Sequence, residues 1–210
     1  MILGQRVIKV KKALILLAGP PGTGKTYFKN MIMARNDNFE STSVDVFKER
    51  LYDEIGFDNL DEKKVIDDNA LYLFFQKVEE FMTLGKSIIS DYPFSDKQYS
   101  ELQRLSQKYG YFDITVSMYA ADDVLYERQK SRDKDESRHL GHLMTHYHRG
   151  DVVKDRSKIE IMKSKKEYLD FNKKRGYNDF RLGYLIKFDV SDFSRADYEG
   201  VLREINSLIG

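Results

Sequence analysis

The 210-residue sequence has no cysteine, no tryptophan and only three prolines. Without cysteine, the chain cannot use a disulfide framework, a thiolate zinc site, a thiol nucleophile or an iron–sulfur cluster. Three prolines and 13 glycines exclude collagen-like and Pro/Gly-rich disordered chains. Basic and acidic residues number 35 and 34, and the resulting net charge of +1 argues against a globally charge-driven nucleic-acid or membrane binder.

Long apolar runs are also missing. The longest one, residues 13–18, is far too short to span a bilayer. The basic residues before it, Arg6, Lys9, Lys11 and Lys12, give the N-terminus a slight likeness to a secretory leader. Cleavage after the apolar run would remove the strand that leads into the strongest motif, so we reject that interpretation. We expect a single cytoplasmic domain over residues 1–210.

Short β-rich segments alternate with longer segments of helical period, which predicts an α/β fold with a parallel sheet. The strands are predicted at residues 13–18, 43–45, 87–90, 113–119 and 184–189. We expect helices to be capped by Asp61, Asp122 and Ser194, and a capping box to join Ser95 and Gln98. The polar segment at about 122–183 is expected to be a helical insertion or lid before the last strand.

Residues 19–26 read Gly-Pro-Pro-Gly-Thr-Gly-Lys-Thr and fit the phosphate-loop pattern G-x-x-x-x-G-K-[ST]. Glycines let successive backbone N–H groups point at an anion, and the helix that follows adds the positive end of its dipole. We predict that Lys25 bridges the terminal phosphates of a nucleoside triphosphate and that the Thr26 hydroxyl ligates Mg²⁺. The residues predicted to bind the nucleotide are Gly19, Gly22, Thr23, Gly24, Lys25 and Thr26.

Two aspartates stand at predicted strand ends, where ligands bind in open α/β sheets. Asp45 ends the weak second strand and could accept the proton of an attacking hydroxyl, or cap the helix that follows. Asp91 ends the third strand in the form of a Walker B acid that holds the magnesium shell. Asp91 could instead face the acceptor, or serve as a turn residue before Pro93.

Basic residues dominate the region after the fourth strand. Arg128 and Arg132 lie four residues apart on one helix face, and Arg138 follows. Such arginines could neutralise the charge that develops during phosphoryl transfer, or pair with nearby acids at the surface. Residues 154–175 carry nine basic and four acidic side chains, which indicates either a solvated helix face or a lid surface that tolerates phosphate.

Four histidines, His139, His142, His146 and His148, raise the possibility of a metal site. His142 and His146 are spaced i, i+4, but Leu-Met-Thr separates them and the motif H-E-x-x-H is absent. We favour polar lid residues over zinc ligands.

Together, the phosphate loop, Asp45, Ser90-Asp91 and the Arg128/Arg132 pair resemble the P-loop kinases related to polynucleotide kinase and to zeta-toxin and chloramphenicol phosphotransferase kinases. The resemblance runs from about residue 13 to 138. It implies a three-layer α/β/α fold with a five-stranded parallel sheet in the order 2-3-1-4-5. It also implies that Asp45 activates the acceptor hydroxyl and that Arg132 contacts the ATP phosphates.

Within this group, residues 138–142, Arg-His-Leu-Gly-His, resemble the R-H-P-G-H of uncharacterised bacterial members, with Leu140 in place of proline. Lys48 departs from polynucleotide kinase, which has an arginine three residues after the base. A lysine lacks the planar fork of arginine, and this argues against polynucleotide specificity.

The sequence therefore predicts an ATP- and Mg²⁺-dependent kinase that phosphorylates a hydroxyl of a small molecule or nucleotide. The predicted catalytic residues are Lys25, Asp45 and Arg132, with Arg128 as a nucleotide clamp and Thr26 and Asp91 as metal ligands. One alternative is a nucleic-acid 5′-hydroxyl kinase, which the basic stretch favours. The other is an ATP- or GTP-binding regulatory NTPase, although Asn178-Asp179 does not fit the Asn-Lys-x-Asp motif of GTPases.

Overall fold

The computed structural model describes residues 11–156, 159–161 and 164–210. Arg6 and Lys9, which prompted the leader interpretation, lie outside the described residues, as do residues 157–158 and 162–163 of the basic stretch. No helix in the described ranges is both long enough and apolar enough to cross a membrane.

The described residues form five strands and seven α-helices. The strands are β1 (Ala13–Ala18), β2 (Phe39–Thr42), β3 (Ser87–Asp91), β4 (Phe112–Tyr119) and β5 (Tyr184–Asp189). The helices are α1 (Lys25–Met33), α2 (Val44–Ile55), α3 (Leu60–Thr83), α4 (Asp96–Tyr109), α5 (Asp122–Lys134), α6 (Lys165–Arg175) and α7 (Tyr198–Ile209). All strand pairs are parallel and the order is β2-β3-β1-β4-β5, which confirms the predicted fold class and the strand order implied by the resemblance.

Strand β1 lies at the centre of the sheet and is buried along its whole length. Ala13, Ile15 and Leu17 belong to a core cluster that includes apolar residues of α1 and α7. The intervening residues, Leu14 and Leu16, belong to a second cluster with α3 and α4. Because both faces of the strand are covered by helices, its sequence is continuously apolar rather than alternating.

The strand register brings the two predicted acids toward the phosphate loop. Asp91 pairs with Leu17 of β1, two residues before the loop begins at Gly19. On the other side of β3, Ser90 pairs with Thr42, the last residue of β2. The carboxyl ends of β1, β2 and β3 therefore meet at one edge of the sheet, where the chain turns into α1 and α2.

A third core cluster attaches the segment after α5 to the rest of the protein. It joins Tyr52 of α2, Ile66 of α3 and the loop residues Leu140, Met144 and Tyr147. A backbone bridge between Phe57 and Tyr147 adds to this contact. The region predicted as a helical insertion, about 122–183, is helical in α5 and α6, and a 3₁₀ turn covers residues 140–142 between them.

The second strand was predicted in the wrong place, since β2 covers residues 39–42 rather than 43–45. It is an edge strand that buries only Phe39 and Thr42, so its sequence carries little apolar signal. As a consequence Asp45 does not end a strand. Ser43 occupies the N-cap position of α2, and Asp45 lies in the first turn of that helix.

Three predicted helix caps are also wrong. Asn59, not Asp61, caps α3, because its side chain accepts hydrogen bonds from the backbone N–H groups of Asp61 and Glu62 in the first turn of the helix. Ala121 precedes α5 and Asp197 caps α7, so Asp122 lies inside its helix and Ser194 outside its own. The helix dipole favours an acidic residue both at the cap position and in the first turn. Residue type alone therefore does not show which of these positions an acidic residue occupies. The capping box of Ser95 and Gln98 is confirmed.

Candidate active site

The phosphate loop makes a tight turn that depends on its glycines. Gly19, Gly22 and Gly24 have φ values of 126°, 90° and 77°, in the region that favours glycine. At Gly19 a Cβ atom would lie 2.0 Å from the carbonyl oxygen of Met118 on β4. The side chain of Thr23 is buried and donates to the Pro20 carbonyl at 3.0 Å, which closes the turn from within.

Helix α1 begins with its backbone donors open. Gly24 is the N-cap residue and offers no side-chain acceptor, and the first turn contains no acidic residue. The first N–H groups of a helix have no partner inside the helix, and they carry the positive end of its dipole. This end of α1 can therefore bind an anion such as a phosphate group.

The ammonium group of Lys25 is held by the loop. It donates to the carbonyls of Gly19 and Pro20 at 2.9 and 2.8 Å, and to the Thr23 hydroxyl at 3.2 Å. Burial, followed by repulsion from Arg132, lowers the pKa of Lys25 to about 7. A phosphate beside the ammonium would supply the negative charge that favours its protonated form.

Asp91 connects the loop to the ends of the strands. Its carboxylate accepts from the Thr26 hydroxyl at 2.6 Å and pairs with Lys29 at 2.8 Å. Its backbone carbonyl accepts from the Ser43 hydroxyl at 2.7 Å, which ties the start of α2 to the end of β3. Thr26 and Asp91 thus offer a hydroxyl and a carboxylate oxygen side by side. This oxygen pair fits Mg²⁺, which usually takes one or two protein ligands and completes its shell with phosphate and water.

Asp45 is partly buried in the first turn of α2. Burial, the largest single influence, raises the pKa of its carboxyl group, but surrounding positive charge outweighs burial and the net shift is downward. The neighbours responsible are, in order, His142, Arg138, Lys48 and Arg132. The carboxylate is therefore ionised at neutral pH and available as an acceptor of a hydrogen bond or proton.

Lys48, one turn further along α2, is part of an ion pair. Its ammonium lies 2.9 Å from Asp67 of α3, and the same carboxylate accepts a hydrogen bond from the Tyr52 hydroxyl. Although burial lowers the pKa of Lys48, the neighbouring Tyr92 and Asp67 raise it well above its ordinary value. Lys48 is thus a fixed cation that joins α2 to α3.

The two arginines of α5 differ in their contacts. Arg128 donates to the carbonyls of Val190 and Ser191 at 2.7 and 2.9 Å, and its guanidinium lies 3.6 Å from the centre of the Phe193 ring. Arg132 is exposed, and it makes no hydrogen bond or ion pair within the described part of the chain. Its charge nevertheless acts on both Lys25 and Asp45.

Two residues that the sequence did not assign to the site, Arg138 and His142, face the same space. The His142 ring lies 2.9 Å from Glu49 of α2 through Nε2, and burial lowers the pKa of the imidazole. Arg138 has a buried Nε that finds no hydrogen-bond partner among the residues that the structure describes. The pattern Arg-His-Leu-Gly-His was visible in the sequence, but nothing local shows that it packs against α2, almost a hundred residues earlier.

These groups surround one cavity of about 560 Å³. Eight of the predicted site residues line it, namely Gly22, Gly24, Lys25, Thr26, Asp45, Asp91, Arg128 and Arg132. The other predicted residues, Gly19 and Thr23, are buried within the loop, where they hold its shape. The wall also contains Lys48, Arg138 and His142, so that five lysine and arginine side chains and one histidine face two acidic ones. A cavity of this charge suits a polyphosphate.

The four histidines pair with four separate acids. His139, His142, His146 and His148 lie beside Asp53, Glu49, Glu160 and Asp58, respectively. Among the described residues no three His, Cys, Asp or Glu side chains are grouped so that they could hold a metal ion. The histidines attach the segment after α5 to α2 and to neighbouring loops.

The strand order, the glycine-rich turn and the uncapped helix define a P-loop nucleotide-binding fold of the kinase-like type. The model of the AAA domain family AAA_18 matches residues 15–162, and the chain belongs to this family. No curated protein matches the chain in sequence.

Solved structures share this fold. A candidate kinase from Chloroflexus aurantiacus J-10-fl has a TM-score of 0.72 at 24% identity, covering 94% of this chain and 98% of that one. The tunicamycin resistance protein of Deinococcus radiodurans has a TM-score of 0.54 at 14% identity, with 95% and 96% covered. A chain of the Pnkp1/Rnl/Hen1 RNA repair complex has a TM-score of 0.53 at 15% identity, with 86% and 50% covered. The resemblance to P-loop kinases is thus confirmed for the fold.

Proposed function

We propose that the protein is a kinase that transfers the γ-phosphoryl group of ATP to a hydroxyl of a small molecule. The observation that carries this proposal is the shared cavity, in which an ionised carboxylate, Asp45, faces the phosphate loop across a basic wall. A protein that only binds a nucleotide has no need for a carboxylate at that position. The fold of the chain is shared with kinases of several descriptions.

In the proposed reaction the acceptor hydroxyl donates a hydrogen bond to Asp45 and finally transfers its proton to that carboxylate. The hydroxyl oxygen forms a bond to the γ-phosphorus while the bond from this phosphorus to the β–γ bridging oxygen breaks. ADP leaves with the electron pair. Because the transition state is loose, positioning and charge contribute more than the strength of the base. Lys25 would exchange the loop carbonyls for phosphate oxygens, and Arg132 would stabilise the charge that develops on them.

Mg²⁺ would be held by Thr26 and Asp91, and when bound it neutralises phosphate charge and orients the terminal phosphates. The contacts of Asp91 support this role, because its carboxylate accepts from Thr26 and from Lys29 while Ser43 donates to its backbone carbonyl. The hydroxyl of Thr26 would turn its oxygen from the carboxylate toward the cation.

Arg128 and Phe193 form the proposed nucleotide clamp. The guanidinium rests on the phenyl ring and is fixed by two carbonyls at the end of β5. The ring is 42% exposed, so a flat group of a nucleotide can reach it. We also propose that residues 122–183 act as a lid within one kinase domain. A contact supports this role, since Tyr168 of α6 donates to the Pro21 carbonyl of the phosphate loop at 2.8 Å.

A nucleic-acid 5′-hydroxyl kinase is the second candidate. It is favoured by the exposed lysines of α6, among them Lys173 and Lys174. The ion pair between Lys48 and Asp67 weighs against it, because this ammonium is already neutralised and is not free to bind a nucleic-acid phosphate. A chain with a net charge of only +1 and a basic cavity beside the phosphate loop better suits a compact acceptor.

The proposal is tested by incubating the protein with Mg²⁺, γ-labelled ATP and a panel of nucleosides, sugars, aminoglycosides and 5′-hydroxyl oligonucleotides. Label should appear in a small hydroxyl compound with the wild-type protein and not with a Lys25→Ala variant. Label in the oligonucleotide, together with binding that weakens steeply with salt, would select the second candidate. Nucleotide hydrolysis that proceeds without any labelled acceptor would instead indicate a regulatory NTPase.

A further inference from the structure

The guanidinium of Arg138 is placed at the cavity without a partner. Arg138 is partly buried, its Nε has no hydrogen-bond partner, and no acid within the described ranges forms an ion pair with it. Burial and the nearby charge of Arg132 both lower its pKa. A buried cation that lacks a counter-ion is costly, so the half-buried Arg138 is expected to receive an anion.

The loop that carries Arg138 is built to hold it still. Arg156 donates to the carbonyls of Glu136 and Arg138 at 3.0 and 3.2 Å. The Asp135 carboxylate accepts from the backbone N–H of Ser137 at 2.8 Å, and the backbone N–H of Arg138 donates to the Asp135 carbonyl at 3.1 Å. These contacts fix the backbone of the loop. They leave the guanidinium N–H groups of Arg138 available to bind another group.

The residues after Arg138 hold this loop against α2. His139 Nε2 lies 3.1 Å from Asp53, and its Nδ1 accepts from the Gly141 backbone at 3.0 Å. The His142–Glu49 contact adds a second attachment one turn closer to the start of α2. Arg138 is therefore held at the end of the cavity where α2 presents Asp45.

The charged groups that interact with Arg132 and with Arg138 indicate different roles for the two arginines. Arg132 acts on both Lys25 and Asp45, so its charge is felt at the phosphate loop and at the base. The acids that act on Arg138 are Asp45, Asp133 and Glu49. A second cavity of about 170 Å³ opens beside the same two arginines, and it is also lined by Glu49, Asp135, Ser137 and His139.

We propose that the acceptor carries an anionic group, a phosphate or a carboxylate, and that Arg138 binds this group while Asp45 holds the hydroxyl. The inference rests on the proposed kinase function and names the class of its substrate: hydroxy acids or phosphorylated hydroxyl compounds of low molecular weight. A guanidinium presents paired donors that match a carboxylate or phosphate, and charge-assisted hydrogen bonds of this kind are strong.

Inorganic phosphate serves as the probe in the first test. The full-length protein is saturated with Mg²⁺ and a β,γ-imido analogue of ATP, so that the phosphate loop is filled, and is then titrated with phosphate by calorimetry. We expect one phosphate to bind the wild type and Arg138→Gln to weaken it about tenfold or more. Arg138→Lys should lie in between. Arg104→Gln, which changes an exposed arginine of α4 paired with Glu101, serves as the matched control and should bind like wild type.

The outcomes distinguish a failure of the proposed kinase function from a failure of the proposed anion site. Failure of the ATP analogue to bind would refute the kinase function. The anion site could then still be tested, by comparing phosphate binding to the nucleotide-free wild type with phosphate binding to nucleotide-free Arg138→Gln. Equal phosphate affinity in both, or no phosphate binding by the wild type, overturns the anion site. A melting temperature within the range of the Arg104 variant verifies that the Arg138 variants are folded.

Kinetics provide the second test, with acceptors used in matched pairs such as a sugar and its phosphate or a nucleoside and its monophosphate. The anionic member should have the lower KM. Arg138→Gln should raise that KM about tenfold while the KM for ATP stays unchanged. A preference for the neutral members that persists in the variant would overturn the assignment.

Discussion

The two ends of the cavity are built in different ways. The phosphate-loop end consists of residues 19–26 with Asp91, and the hydrogen bonds of the Thr23 and Lys25 side chains join groups within six residues of each other. The acceptor end consists of Asp45, Lys48, Arg138 and His142, and its contacts join side chains far apart in the chain; the His142–Glu49 pair spans 93 residues. The first end is fixed by backbone geometry, whereas the second depends on how α2, α3 and the loop after α5 pack together.

The two ends also differ in their charge. At the phosphate-loop end burial lowers the pKa of Lys25, and the ammonium is held by neutral carbonyls and a hydroxyl. At the acceptor end cations and a histidine lower the pKa of Asp45. We conclude that the phosphate-loop end is suited to bind a negatively charged group, whereas the acceptor end already keeps Asp45 ionised. Changes at the two ends should therefore separate nucleotide binding from transfer.

The largest effect is expected from Lys25→Ala. Its ammonium is the only side-chain cation of the loop itself, and removal leaves the terminal phosphates without it. We expect transfer to fall by at least about 10³ and nucleotide affinity to fall as well. Calorimetry with Mg-ATP and the labelled-ATP assay measure both. Lys77→Ala, an exposed lysine paired with Glu80, is the control, and wild-type transfer by the Lys25 variant would defeat the loop assignment.

Asp45→Asn should impair the acceptor end of the cavity and leave the phosphate-loop end intact. The amide cannot take the hydroxyl proton, so we expect transfer to fall about 10²-fold, with nucleotide affinity close to that of the wild type. The matched control is Asp61→Asn, since Asp61 is an exposed acid in the first turn of α3. If turnover is unchanged in Asp45→Asn, then this carboxylate is not the base.

A smaller effect is expected from Gly141→Ala, which tests the packing of the acceptor end. An added Cβ would lie 2.3 Å from Cδ2 of the buried Tyr52 ring, and that ring contacts His139 and His142. We expect a loss of about 1–3 kcal/mol in the free energy of unfolding. Chemical denaturation measures this loss. Transfer should also decline while Mg-ATP affinity is retained, and equal losses of both would contradict the independence of the two ends.

The smallest effect concerns pH. Lys25 has a pKa of about 7 in the nucleotide-free protein, and bound phosphates raise that pKa, so binding takes up a proton at higher pH. Nucleotide affinity should thus weaken between about pH 7.5 and 9, by up to about tenfold per unit. Calorimetry in buffers of different ionisation enthalpy reports the proton uptake. A Lys25→Met variant should lose this dependence, and a wild type without proton uptake would contradict the depressed pKa.

Short-range pattern was enough to locate four of the five strands and the phosphate loop. The bounds of β1 and β5 agree with the prediction to the residue, because these strands combine apolar runs with clear flanking residues. The second strand was misplaced, since an edge strand that reads Phe-Glu-Ser-Thr has one large apolar residue and draws its stability from pairing with β3. Asp45 does line the cavity, although it was chosen for a strand end that does not exist there, and its role as the base stays a prediction.

The amino-acid sequence contained the glycines of the phosphate loop, Lys25, and the alternation that dictates a parallel α/β sheet, because each of these follows from the conformational preferences of neighbouring residues. It did not show in recognisable form that Arg138 and His142 lie beside α2. These residues are brought together by burial of apolar side chains such as Tyr52 and Leu140. Long-range packing therefore defined the acceptor end, since the energy of such contacts depends on distance in space and not on spacing along the chain.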